Sequence, residues 1–146
     1  MGEDPFHLKR FVDAQEDAAI YARALGELWA GRKQSHWIWF VFPQIAGLGS
    51  SPMSQAYAIR SLDEARAYLA HPVLGARLRE STEALLAAQP GTSAEQILGG
   101  IDAIKVRSSM TLFHRAAPEE QPFKAVLDRF YAGGPDPETD RRLLRL

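Results

Sequence analysis

The sequence contains no cysteine, which excludes disulfide bonds, thiolate metal sites and a cysteine nucleophile. Its formal net charge is only −1, whereas proteins that bind nucleic acids through phosphate contacts usually carry a clear basic excess. No run approaches the roughly 20 apolar residues that a membrane-spanning helix needs. The stretch 1–10 is acidic and polar, unlike a signal peptide. We therefore predict a cytoplasmic protein that has neither a nucleic-acid nor a membrane partner.

The 146 residues suffice for one domain with one hydrophobic core. Hydrophobic residues make up 46% of the chain and charged residues 24%, which is too apolar for a disordered protein. Strand-like alternation is nearly absent, and no Asn-Gly hairpin occurs. The sequence therefore predicts an all-α protein, a single compact domain over residues 1–146 with about eight or nine short helices.

Proline and capping residues predict where these helices begin and end. Prolines after polar residues predict helix starts at Asp4, Ser51, His71 and Asp136, with Ile59 inside the helix that follows Ser51. Capping patterns predict further helix starts at Ser61 with Glu64, at Thr92 with Glu95, and at Asp102. Gly31 predicts the end of the helix that precedes it.

The stretch "KQSHWIWFVFPQIAGLGSS", residues 33–51, concentrates the aromatic residues. Residues 37–42 are apolar in every direction, so periodicity cannot separate a strand from a helix, but the surroundings favour a short buried helix. Trp37 and Trp39 then belong either to the core or to a pocket wall. His36 lies at the edge of this apolar cluster, as a catalytic candidate or as an ordinary core-edge histidine.

The second half of this stretch is rich in glycine. Gly47 and Gly49 permit unusual backbone angles and the close approach of a ligand. Free amides at the helix start near Ser51 would seat an anion, and Gln44 would fix its orientation. An ordinary turn is the alternative, since the spacing matches neither common nucleotide-binding fingerprint. Lys33, at the start of the stretch, completes the ligand-binding candidates here.

A second stretch, residues 102–114, places polar residues beside a core-facing stripe. Asp102, Lys105 and Ser109 follow one another at helical spacings of three and four. A phosphate or a ribose would satisfy these groups, and so would an ion pair between Asp102 and Lys105. Asp102 is also the one acid that we nominate for catalysis. The four histidines lack metal-binding spacings, so we predict neither a metal nor a cofactor.

Four strings carry a resemblance to a known family: "KQSHWIWFVFPQIAGLGSSPMSQAYAI", "YLAHPVLGARL", "DAIKVRSSMTLFH" and "FKAVLDRFYAGGPDPET". They resemble an uncharacterised bacterial family of small all-helical proteins, some of which are labelled calpastatin. This resemblance implies an architecture and little mechanism. The order of the segments is also similar to that of helical N-glycosidases that act on ADP-ribose adducts and riboflavin-pathway intermediates, which implies cleavage of an N-glycosidic bond.

Two functions are therefore predicted. In the first, the protein binds a nucleotide-like or phosphorylated small molecule, and the catalytic form of this hypothesis is an N-glycosidase with Asp102 and His36 as catalytic residues. In the second, it is a non-enzymatic interaction module in which Trp37, Trp39 and Phe40 form an exposed groove for an unspecified protein partner. Whether the protein is an enzyme stays open. The ligand hypothesis requires the tryptophan-rich stretch and the lysine–serine face to meet across a shared cavity. If they lay on opposite sides of the molecule, or packed together without space, they could not hold a ligand.

Overall fold

The computed structural model describes residues 3–145, which form α-helices and no extended strand. The predicted all-α class is confirmed. None of these helices is long and apolar enough to cross a bilayer. The helices are α1 (Lys9–Glu16), α2 (Ile20–Trp29), α3 (Ile38–Val41), α4 (Pro52–Ala56), α5 (Leu62–Ala70), α6 (Leu74–Leu86), α7 (Ala94–Leu98), α8 (Gly100–Ala116), α9 (Gln121–Phe130) and α10 (Pro137–Leu143).

Helix α8 is the central element of the fold. It is 17 residues long and contacts α3, α5, α7, α9 and α10. Its residues Met110, Leu112 and Phe113 are completely buried, because apolar side chains point toward several neighbours at once. The Phe113 ring lies 5.4 Å from Tyr68 and 5.9 Å from Phe123, which joins α8 to α5 and α9.

The N-terminal helices differ from their sequence predictions. The helix predicted to follow Asp4 begins only at Lys9, although the Asp4 carboxylate still accepts hydrogen bonds from the Leu8 and Lys9 amides. A 3₁₀ turn then separates α1 from α2, with Ala18 and Ala19 in the left-handed region at φ 50° and 55°. This break is strained for residues with a side chain, and hydrophobic spacing alone does not reveal it.

Capping predictions were confirmed at some helices and wrong at others. Ser61 caps α5 as predicted, and Gly31, at φ 75°, follows the end of α2. The box predicted at Thr92 and Glu95 is wrong by one residue, because Ser93 and Gln96 form it. Asp102 does not cap α8: Gly99 occupies that position, and Asp102 lies in the first turn.

The aromatic stretch folds as predicted into a short buried helix, α3. The chain then leaves α3 and forms an isolated parallel bridge between Ile45 and Ile59. The prediction of Ile59 within a helix is therefore wrong, because α4 ends at Ala56 and the Ile59 amide donates to the Gln44 carbonyl at 2.8 Å. This bridge fixes the chain just before the glycine-rich loop, residues 47–50.

Two glycines provide a matched test of the helix packing. A Cβ on Gly75 would lie closer than 3.0 Å to the Leu69 carbonyl oxygen, whereas a Cβ on Gly26 would meet no atom within 4 Å. We expect Gly75→Ala to lower the free energy of unfolding by about 1–3 kcal/mol. Gly26→Ala, in the exposed interior of α2, should raise it by about 0.5–1 kcal/mol. Urea denaturation measures both, and equal effects would contradict this packing.

Candidate functional site

The two stretches that the ligand hypothesis requires to meet are in contact, but the main clefts of residues 3–145 are lined by other residues. Helix α3 packs against α8, and the Lys105 ammonium lies 5.2 Å from the centre of the Trp39 ring. This distance is within the range of a cation–π interaction. Among residues 3–145, Lys105 has no ion-pair partner. The Lys105 ammonium therefore contacts an aromatic face, and no carboxylate of the described chain pairs with it.

Two buried polar atoms beside this contact lack a hydrogen-bond partner. The Trp39 Nε1 and the Ser109 hydroxyl are both buried, and neither bonds to any residue in the described part of the chain. Ser109 lies one helical turn from Lys105 and is 0% exposed. Its neighbour Ser108 behaves differently, since two acceptors lie within hydrogen-bond distance of its hydroxyl: the Ile104 carbonyl at 3.2 Å and Asp136 Oδ2 at 3.1 Å. We call Trp39, Lys105 and Ser109 the Trp39 cluster.

The chemistry of the Trp39 cluster is that of a hydrogen-bond donor. Indole N–H and ammonium groups only donate, and a serine hydroxyl can also donate. Buried polar atoms in native proteins nearly always have a partner, so each exception requires an explanation. A group rich in acceptor oxygens and negatively charged would complement all three residues.

Asp102 pairs with Lys33, so the predicted ion pair between Asp102 and Lys105 is wrong. The Lys33 ammonium lies 2.8 Å from Asp102 Oδ2, with side-chain exposures of 7% and 18%. It also donates to the Ser35 carbonyl at 2.5 Å and lies 5.0 Å from the centre of the Trp37 ring. Lys33 is thus fully partnered within the fold.

Glu27, which the sequence analysis missed, fastens the segment before α3 to α2. Its carboxylate accepts hydrogen bonds from the amides of Gln34 and Ser35, from the Ser35 hydroxyl and from Trp37 Nε1. Burial works to raise the pKa of the Glu27 carboxyl, but these hydrogen bonds outweigh it and lower the pKa to about 2. Trp37 is 0% exposed, and its one polar atom is committed to Glu27.

The other predicted site residues make no hydrogen bond to the Trp39 cluster within the described chain. His36 is exposed, and Gln44 is half-buried and bonded through its backbone to Ile59. The Ser51 hydroxyl caps α4 by accepting from the Ser54 amide, and Gly49 packs against the Ser54 side chain. Within residues 3–145, none of these four hydrogen-bonds to the Trp39 cluster.

Three clefts lie around α1 and do not include the Trp39 cluster. Their volumes are about 430, 630 and 530 Å³, and Arg10 lines two of them. Arg10 itself is occupied, because its guanidinium donates to the carbonyls of Phe6, His7, Ala56 and Ala58 and to Glu64. The cluster of free donors and these clefts are therefore separate features.

The fold and the site define a single-domain helical protein whose central helix presents a lysine to a tryptophan on a short helix. Residues 5–143 match the family described as "Protein of unknown function (DUF1810)", and the chain belongs to this family. The predicted membership of an uncharacterised all-helical family is confirmed.

A solved structure is similar along nearly the whole chain. It is the crystal structure of the conserved hypothetical protein Rv1873 from Mycobacterium tuberculosis, with 52% sequence identity and a TM-score of 0.93. The similarity covers 97% of this chain and 99% of that protein. No protein with a curated description matches. The comparisons therefore establish the family and the fold.

The role of Glu27 can be tested through the pH dependence of stability. Because its pKa falls from an ordinary value of 4.5 to about 2 in the fold, its contribution is present above pH 4.5 and is lost as the pH falls toward 2. We expect Glu27→Gln to lower the free energy of unfolding at pH 7 by about 1–3 kcal/mol. Urea denaturation should also show a smaller loss of stability between pH 4.5 and 2 than in the wild type.

Glu83→Gln is the matched control, since Glu83 is exposed and its side chain makes no hydrogen bond within the described residues. It should retain the wild-type stability and pH profile. If Glu27→Gln behaved like Glu83→Gln, the anchoring role of Glu27 would be refuted.

Proposed function

We propose that this protein binds a small phosphorylated or nucleotide-like molecule, whose anionic group contacts the Trp39 cluster. Two buried atoms without a hydrogen-bond partner support the proposal: Trp39 Nε1 on α3 and the Ser109 hydroxyl on α8. Lys105, also on α8, contacts the Trp39 ring. An unpaired polar group in the interior costs about 1–3 kcal/mol. An oxyanion would offset this cost at both atoms while pairing with the ammonium.

The arrangement favours an anion over a ligand that mainly donates hydrogen bonds. Lys105 has no carboxylate partner within the described chain, whereas Lys33 is matched by Asp102. A phosphoryl group presents several acceptor oxygens and can contact more than one donor at a time. The aromatic support for a nucleobase is smaller than the sequence predicted, because Trp37 is fully buried and only Trp39 is half-exposed.

An N-glycosidase is the catalytic form of this proposal. Asp102 would stabilise the positive charge that develops on the sugar in an oxocarbenium-like transition state. Its carboxylate is held by Lys33 one helical turn from Lys105, so it would act from the edge of the cluster. His36 is exposed and would have to reach a bound substrate from the solvent side. The cytoplasmic location and the lack of a nucleic-acid partner stay predictions from the sequence.

The interaction-module alternative must use a different surface from the predicted one. Trp37 and Phe40 are 0% and 4% exposed, so they cannot form the walls of an open groove. Exposed apolar side chains occur instead on α8, where Ile101 and Ile104 are 74% and 66% exposed at a helical spacing of three. These two isoleucines favour the second candidate function.

Thermal unfolding with a panel of ligands tests the proposal. Millimolar ADP-ribose, NAD, AMP and inorganic phosphate are compared at constant ionic strength. A ligand that binds the folded state raises its stability by about 2.7 kcal/mol at 100 times its dissociation constant. Lys105→Met and Ser109→Ala should each weaken binding of a stabilising ligand about tenfold or more, because each removes a donor to an anion.

Lys124→Met is the matched control, because Lys124 is an exposed lysine paired with Asp128 on α9. It should bind as the wild type does. Stabilisation by none of the four ligands would reject the proposal. If Lys105→Met and Ser109→Ala left the stabilisation unchanged, the ligand would bind outside the Trp39 cluster and the proposed site would be wrong. Concentration-dependent self-association that Ile101→Ser and Ile104→Ser abolish would support the interaction module instead.

A further inference from the structure

A second group of free donors lies at the glycine-rich loop, residues 47–50, where Arg142 of α10 rests on the backbone. Gly47 adopts φ 95°, and a Cβ at this position would lie closer than 3.0 Å to the Arg142 guanidinium. Only a residue without a side chain allows this approach. The glycine that the sequence analysis associated with a ligand therefore first accommodates an arginine of the same chain.

Arg142 forms an ion pair with Glu138 but makes no side-chain hydrogen bond among the described residues. Its Nε is buried and makes no hydrogen bond, although Glu138 Oε1 lies 3.4 Å away. Glu138 also pairs with Arg141, so one carboxylate faces two guanidinium groups. Arg115 on α8 shows the contrast, because Asp140 accepts two hydrogen bonds from its guanidinium at 2.8 and 2.9 Å. No residue between 3 and 145 accepts a hydrogen bond from the Arg142 side chain.

The loop itself presents several free amides. The backbone N–H groups of residues 47–50 donate to no other residue of the described chain. The preceding amide, Ala46, is bonded to the Ile59 carbonyl at 2.7 Å, so the loop starts from a fixed point. Successive free amides that turn toward one side of a loop can bind an anion. Arg142 adds a full positive charge and a planar set of donors to this loop.

We propose that the glycine-rich loop and Arg142 form a binding subsite for the phosphoryl group of a small molecule. In this subsite the amides of residues 47–50 and the guanidinium of Arg142, which packs on Gly47, donate to the oxygens of the phosphoryl group. This subsite uses none of the residues of the Trp39 cluster. Its existence therefore does not depend on binding at that cluster.

Phosphate titration followed by amide NMR tests this subsite in the intact protein. Inorganic phosphate is added at constant ionic strength, with chloride as the replaced anion. The amide signals of residues 47–50 should shift saturably in the wild type. In Arg142→Gln, the apparent dissociation constant for phosphate should rise about tenfold or more, because the charged donor is lost. Arg142→Lys should bind with intermediate affinity, since lysine keeps the charge but lacks the planar fork.

Arg141→Gln is the matched control, because Arg141 is exposed and pairs with the same Glu138. It should keep the wild-type affinity. Amide signals that do not shift with phosphate, or that shift equally in Arg142→Gln and the wild type, would overturn the subsite. Lys105→Met separates this proposal from the proposed function: it should leave the shifts at residues 47–50 unchanged even if it abolishes binding at the Trp39 cluster.

Discussion

The arrangement around α3 depends on the hydrogen bonds that the Glu27 carboxylate accepts. The carboxylate gathers donors from the segment that follows α2, including the Trp37 indole, and so fixes the direction in which the chain enters α3. Burial alone would disfavour a charged carboxyl here, but the hydrogen bonds keep its pKa near 2. With this segment fixed, Lys33 reaches Asp102 on α8, and α3 presents its next tryptophan to Lys105.

Two lysine–tryptophan contacts lie near α3, and they differ in whether the polar groups of their residues have partners. Lys33 lies against Trp37, and both have polar partners: Asp102 for the ammonium and Glu27 for the indole. Lys105 lies against Trp39 in a similar way, but within residues 3–145 neither has such a partner. The first contact is completed by polar partners within the fold, whereas the second leaves the buried Trp39 Nε1 without a hydrogen-bond partner in the described chain. The same residue types are therefore satisfied at one position and unsatisfied at the other.

Local chemistry made the helical architecture predictable, and long-range contacts limited the prediction of the site. Ser61 caps its helix through neighbours in sequence, so its role can be read directly from the sequence. The partner of Asp102 is Lys33, 69 positions earlier, and helical spacing instead suggested Lys105. Glu27 carried no distinguishing signal, because its donors reach it only when the loop folds back. Arg142 was missed for the same reason: its contact with Gly47 joins distant parts of the chain.

A heteronuclear NMR titration with ADP-ribose that follows the three indole N–H signals tests whether the Trp39 cluster binds an anionic ligand. Trp39 Nε1 is unpartnered within the described chain, Trp37 Nε1 is bonded to Glu27, and Trp29 is an exposed residue at the end of α2. The account predicts a saturable shift of the Trp39 signal while those of Trp37 and Trp29 stay in place. A Trp39 signal that does not respond at saturating ligand would contradict it.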